Sequence, residues 1–129
     1  MDAVKVLLAD DHANVRAQLK ARLAREAYLH IVGEATNSSQ TIECVQAHEP
    51  DVLLIDPVMR DGLGLEAVRR IAERDAPPII VVLTAAADTA LVLELRDAGV
   101  RHILNKNLDS RQLVETLSQV KLEIERRTA

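Results

Sequence analysis

Apolar and polar positions fall into ten blocks that switch between two periodicities. Val4 to Ala9 (VKVLLA) is an apolar run that reads as a strand and runs straight into Asp10-Asp11-His12. From about Ala13 to Ala27, Val15, Leu19 and Leu23 recur at helical spacing, with Asp11 or His12 as the expected cap. His30 to Ala35 (HIVGEA) is a second, weaker strand interrupted by Gly33. Asn37 followed by Gln40 resembles a capping box, and the helix it opens should run to about His48, burying Ile42 and Val45. Asp51 to Ile55 is apolar after its first residue, too short for a useful helix, and lies between Pro50 and a turn containing Gly62 and Gly64. It reads as a strand buried on both faces, with Asp56 at its carboxyl end. Leu65, Val68, Ile71 and Ala72 form the stripe of a third helix, and Pro77-Pro78 ends that connection. Ile79 to Leu83 is a fully apolar fourth strand ending at Thr84-Ala85-Ala86. Asp88 caps a fourth helix to about Asp97, with Gly99 as its stop. Arg101 to Asn105 is a fifth strand ending at Lys106. Asp109 with Gln112 starts a last helix carrying Leu113, Leu117, Val120 and Ile124.

Strand and helix alternate five times, which implies a parallel sheet with helices on both faces. Right-handed crossovers leave few topologies. The first, third and fourth strands are the most apolar and belong in the middle, whereas the second and fifth carry Glu34, His30, Arg101 and Asn105, which suits edges. The predicted fold is therefore α/β, a doubly wound (βα)5 sheet of strand order 2-1-3-4-5. Its topological switch lies between strands one and three, where ligands bind in such sheets.

Composition narrows this further. The 129 residues make one expected domain, 1–129, able to bury about two-thirds of its unfolded surface. With one Tyr and no Phe or Trp, the core must be Leu, Val, Ile and Ala, and bases would find little to stack on. A net charge of −4 without a basic block argues against nucleic-acid binding by this domain. Cys44 is alone and cannot form an internal disulfide. The amino-terminal run carries no signal-peptide pattern and no stretch approaches membrane-spanning length, so a cytoplasmic, reducing setting is expected.

The polar residues at the strand ends are few. Strand one supplies Asp10 and Asp11, strand three Asp56, strand four Thr84 and strand five Lys106, all at one sheet edge. Three carboxylates in one crevice repel, and one is expected to take up a proton unless a cation is present. Oxygen ligands without His or Cys suit a hard ion such as Mg²⁺. Carboxylates with Mg²⁺, a lysine and a hydroxyl are what phosphoryl transfer to an aspartate requires. Ala85 and Ala86 would leave room for the phosphoryl group.

These pieces, LLADDH, LLIDPVMRDGLG, VVLTAA and ILNK in that order and spacing, resemble the receiver domain of two-component response regulators, a flavodoxin-like fold, over essentially the whole chain. The resemblance implies that Asp56 accepts a phosphoryl group from the phosphohistidine of a histidine kinase or phosphotransfer protein. It implies that Asp11, Asp56 and the backbone carbonyl of Val58 hold Mg²⁺ with Asp10 assisting, and that Thr84 and Lys106 bind phosphoryl oxygens. The chain would be a phosphoacceptor and not an enzyme. Three positions depart from the family's usual pattern. Arg60 stands where Met is usually followed by Pro, Asn107 stands where a cis-forming Pro usually follows the lysine, and Ile103 replaces an aromatic residue. A non-proline cis bond costs roughly 3 kcal/mol, so the Lys106–Asn107 bond is expected to be trans or less rigidly set. Without the aromatic residue, the family's usual coupling to the threonine is not expected.

Taken singly, each of these residues has a plainer reading. Asp10-Asp11 could cap a helix, Asp56 could pair with Lys106, and Thr84 could simply end a strand. Their joint placement at four strand ends favours function. His12 reads as a helix-start residue at the site rim, not a ligand. Asp61 reads as solvated turn near the site. A small Mg²⁺-dependent phosphohydrolase is disfavoured because Val58 stands where such enzymes place a second acid. A pseudo-receiver that only docks partners is the other alternative. With about 3.6 residues per turn, the fourth helix turns Leu91, Leu95 and Ala98 inward and Leu93 outward, and the fifth turns Leu122 outward. The helix four–strand five–helix five face is thus the expected surface for a partner or a second copy.

Overall fold

The computed structural model describes residues 3–106 and 110–128. Strands β1 (Val4–Ala9), β2 (Leu29–Ala35), β3 (Val52–Ile55), β4 (Ile79–Thr84) and β5 (His102–Asn105) alternate with helices α1 (Ala13–Leu23), α2 (Ser38–His48), α3 (Gly64–Ala72), α4 (Thr89–Asp97) and α5 (Ser110–Thr128). The strands are parallel throughout and lie in the order β2-β1-β3-β4-β5. The fold is the flavodoxin-like one expected.

Period-two alternation sorts the strand residues onto two core layers. Leu7, Ala9, Leu53, Ile55, Ile80 and Val82 face Val45 of α2, Val68 and Ile71 of α3 and Leu95 of α4. Val6, Leu8, Val52, Leu54, Val81 and Leu83 face Leu23 of α1 and Leu113, Leu117 and Val120 of α5. Each large side chain so buried contributes about 1.5–3 kcal/mol. β3 is apolar on every residue, and β1 and β4 on all but Lys5 and Thr84, because the central strands are covered on both sides. The edge strand β2 bulges where Val6 pairs with Ile31 but Leu7 with Gly33, which leaves Val32 over.

Several boundaries differ from expectation. Helix α1 stops at Leu23 and not near Ala27, because Arg25 and Glu26 bond back to Arg22 and Leu23 in tightened turns. No Gly or Pro marks that stop. Asn37 caps α2 by accepting from the Gln40 amide at 2.8 Å, but Gln40 Oε1 accepts from the Thr36 amide at 2.9 Å, one residue before the expected box partner. Asp51 lies just before β3; its Oδ2 accepts from the Lys5 amide at 2.8 Å. Asp88 caps α4 as expected, and Gly99 at φ +98° lies beyond its end. The proposed cap Asp109 and the Lys106–Asn107 bond lie outside the described residues. Among the described residues no helix is long and apolar enough to cross a membrane.

Candidate functional site

The ladder that builds the sheet also aims the site. One bond past each strand pins the next residue: the Asp10 amide donates to Ala35 O at 3.1 Å, Asp56 to Ala9 O at 3.0 Å and Lys106 to Thr84 O at 3.2 Å. Asp10, Asp56 and Lys106 therefore leave the sheet at one edge with little freedom. The loop after Asp56 returns closely over itself. A Cβ on Gly64 would lie 1.8 Å from the Pro57 carbonyl oxygen, so only glycine fits where α3 starts against that loop.

Lys106 is the cation that the crowded carboxylates require. Its Nζ lies 2.8 Å from Asp10 Oδ2 and 2.5 Å from Asp56 Oδ2. Burial opposes ionisation of Asp10, but hydrogen bonds from Lys106 and His12 outweigh it and hold the carboxyl below its ordinary range. Burial likewise opposes charge on Lys106, and its bonds to Asp10 and Asp56 prevail, so it titrates above its ordinary value. The plainer reading of an Asp56–Lys106 pair is thus realised, within a larger group. The Asp56 carboxylate is oriented locally, with Oδ1 accepting from the Val58 amide at 2.9 Å. Thr84 is buried, and its Oγ1 accepts from the Ala86 amide at 3.3 Å, which leaves the hydroxyl proton to be donated.

Asp11 is held differently. Its Oδ2 accepts from the Arg60 amide at 2.8 Å, across the crevice. Its Oδ1 is buried with no hydrogen-bond partner. The His12 ring comes close, with Nδ1 3.1 Å from this oxygen, but Nδ1 is nearer to Asp10 Oδ1 at 2.8 Å and carries at most one proton.

Three features went unread in the sequence. His12 makes no side-chain cap bond; its ring turns to the two aspartates, and Asp10, His12 and Asp56 each place one ligand atom within 4.8 Å of the others. Asp11 is not in that set. Asp61 is more than solvated turn. It accepts from the Ser38 amide at 2.7 Å, Ser38 Oγ at 2.9 Å and the Leu63 amide at 2.9 Å, which ties the start of α2 to the loop before α3. Bonds from the Leu63 and Ser38 amides hold its carboxyl below the ordinary range. Its position two residues before Leu63 could have suggested a local turn, but nothing local points to Ser38.

An acidic crevice outside the carboxyl ends of a parallel sheet, at the switch between β1 and β3, is where open α/β proteins bind ligands. The family model described as response regulator receiver domain matches residues 6–118. The chain belongs to that family, the receiver domains of two-component systems. It is 35% identical over 113 residues to the transcriptional regulatory protein YdfI of Bacillus subtilis, covering 88% of this chain and 53% of the relative. It is 31% identical over 116 residues to the chemotaxis protein CheY of Thermotoga maritima, covering 90% and 96%. The chain thus spans about half of the transcriptional regulator and nearly all of the chemotaxis protein. Among solved structures, the REC domain of AraT from Geobacillus stearothermophilus superimposes with a TM-score of 0.88 at 26% identity, covering 98% of this chain and 99% of that one.

The residues fit the divalent ion that the family implies. Asp11 Oδ1 is a buried carboxylate oxygen lacking a donor, and a cation is what it lacks. The carboxylates at the pocket suit a hard ion.

Proposed function

We propose that this domain accepts a phosphoryl group on Asp56 in a Mg²⁺-dependent reaction. The observation that carries the reading is Asp56 itself: a buried carboxylate at the end of a central strand, oriented by the Val58 amide and bridged through Lys106 to Asp10. One Asp56 oxygen forms the new O–P bond as the P–N bond of a phosphohistidine breaks, and the leaving imidazole takes a proton from solvent. Lys106 moves its contact from carboxylate to phosphoryl oxygen, and the Thr84 hydroxyl donates a second bond. Asp11, Asp56 and the Val58 carbonyl, with Asp10 assisting, would hold Mg²⁺, which would supply further positive charge to the phosphoryl oxygens. A phosphoryl group adds about −1.5 to −2 charges, tolerable here only beside such cations. The donor is a histidine kinase or phosphotransfer protein. Incubation with acetyl phosphate should raise the intact mass by one phosphoryl group only when Mg²⁺ is present. Labelling without Mg²⁺, or undiminished labelling of Asp56→Asn, contradicts the reading.

Two properties accompany it. Hydrolysis of the acyl phosphate needs an aligned water, and Val58 and Ala86 at the rim offer no side-chain hydrogen bond. The phosphorylated form should decay slowly, and Val58→Asn/Ala86→Glu should decay faster; an unchanged rate removes the idea. Output leaves through the α4–β5–α5 face, where Leu93 and Leu122 are exposed while Leu95, Leu113 and Leu117 are buried. Phosphorylation favours one arrangement of that face, to which a partner or second copy binds. Leu93→Lys should weaken that association without affecting labelling of Asp56, read by sedimentation and by pulldown with a cognate partner.

A further inference from the structure

Arg60 stands where receiver domains usually carry proline, and a proline has no amide to donate. Here the amide is present and used. It donates at 2.8 Å to Asp11 Oδ2, a contact 49 residues apart in sequence that joins the end of β1 to the loop after β3. The same carboxylate keeps its other oxygen, Oδ1, buried and without a donor. The Arg60 side chain reaches the same oxygen only loosely: its Nε lies 3.8 Å from Oδ2 and the side chain is 82% exposed, whereas the Asp11 side chain is 10% exposed.

We infer that the Arg60 backbone amide is a positioning group for the divalent cation, fixing one oxygen of Asp11 so that the other is presented to the ion. The inference rests on the Mg²⁺ reading given above. A carboxylate on a free side chain can turn either oxygen inward and must be ordered on binding. A backbone donor from the opposite wall removes that freedom in advance. Mg²⁺ demands near-ideal ligand geometry, and partners that orient a ligating carboxylate matter accordingly. The opposite sign is physically available, since an amide that occupies Asp11 could compete with the ion. The free Oδ1 argues for positioning. The guanidinium, exposed and screened, contributes little either way.

Two variants separate amide from side chain. Arg60→Ala removes the guanidinium and keeps the N–H; Arg60→Pro removes both. In calorimetric titration with MgCl2, Arg60→Ala should bind within about twofold of wild type. Arg60→Pro should bind about tenfold more weakly than Arg60→Ala. Equal or tighter binding by Arg60→Pro, with wild type binding normally, overturns this inference alone. No binding by wild type overturns the cation reading as well. Should Arg60→Pro fail to fold, hydrogen exchange of the Arg60 amide in wild type decides. It should stay protected at saturating Mg²⁺, and exchange at the rate of an exposed amide overturns the inference.

Discussion

Two ionic clusters on this domain are built as mirror images. In the crevice, one cation bridges two carboxylates: Lys106 lies between Asp10 and Asp56. On the surface beside it, one carboxylate bridges two cations: Glu34 takes Arg16 at 3.2 Å and Lys20 at 2.9 Å. Arg16 belongs to both neighbourhoods, since its NH1 also donates to Asp10 O at 2.7 Å. The crevice contacts are the shorter, and the surroundings differ more. The crevice side chains are 5% exposed at both aspartates and 13% at the lysine; Glu34 is 34% exposed and Lys20 50%. Water screens the second cluster and not the first. Charge balance differs too. With Asp11, the crevice sets three carboxylates against Lys106 and the exposed Arg60 guanidinium, 3.8 Å from Asp11, whereas Glu34 is over-compensated by its cations. Burial with an excess of carboxylates suits one cluster to a cation, and exposure suits the other to bracing the surface.

The sharpest break of this comparison is Lys106→Met, which strands two buried carboxylates. Without divalent ions it should destabilise the domain by about 3 kcal/mol in urea unfolding, and added Mg²⁺ should restore part of the loss. A smaller effect is expected at Asp61, whose carboxylate is satisfied by amides and a hydroxyl and not by cations. Asp61→Ala should cost about 1–2 kcal/mol by the same measurement, through the lost caps. Smallest is Glu34→Gln, which should cost less than about 0.5 kcal/mol and nothing measurable at high salt.

Alkali separates the clusters by the same logic, since both the Asp10 and the Glu34 carboxyls are held below their ordinary values. The Asp10 carboxyl titrates below its ordinary value of 3.8, so its contribution is complete above that pH and disappears as pH falls through its lower folded value. Lys106 titrates above its ordinary 10.5, so its contribution is complete below that pH and disappears as pH rises beyond it. Lys106→Met should therefore flatten the alkaline limb of stability against pH and weaken the acid limb. Glu34→Gln should leave the alkaline limb as in wild type.

Much of this was legible in the chain because it depends on local rules. Apolar runs gave all five strands, and their polarity ranked β2 and β5 as edges. Site residues at strand ends were readable for the same reason: a parallel sheet brings its carboxyl ends together wherever the register falls. What escaped depends on contacts between distant segments. Asp61 looked like any turn residue until Ser38, 23 residues away, was seen to donate to it twice. His12 does stand at the start of α1, at the site rim, as expected, but adjacency in sequence says nothing of which way its ring turns. Arg60 was noticed as a departure from the family, but its amide acquires meaning only when Asp11 lies across from it. The end of α1 was missed because its chain reversal uses tightened turns at residues with good helix propensity, Ala24 to Glu26.

The role proposed for the crevice depends on which side chain carries the phosphoryl group. An acyl phosphate can be trapped by borohydride, which reduces the modified aspartate to homoserine and leaves free carboxylates untouched. Wild-type protein treated with acetyl phosphate and Mg²⁺, reduced and digested, should yield homoserine at position 56 and nowhere else. Homoserine at position 10 or 11, or a phosphoryl group that survives on His12 or a hydroxyl residue with none trapped at position 56, would contradict it.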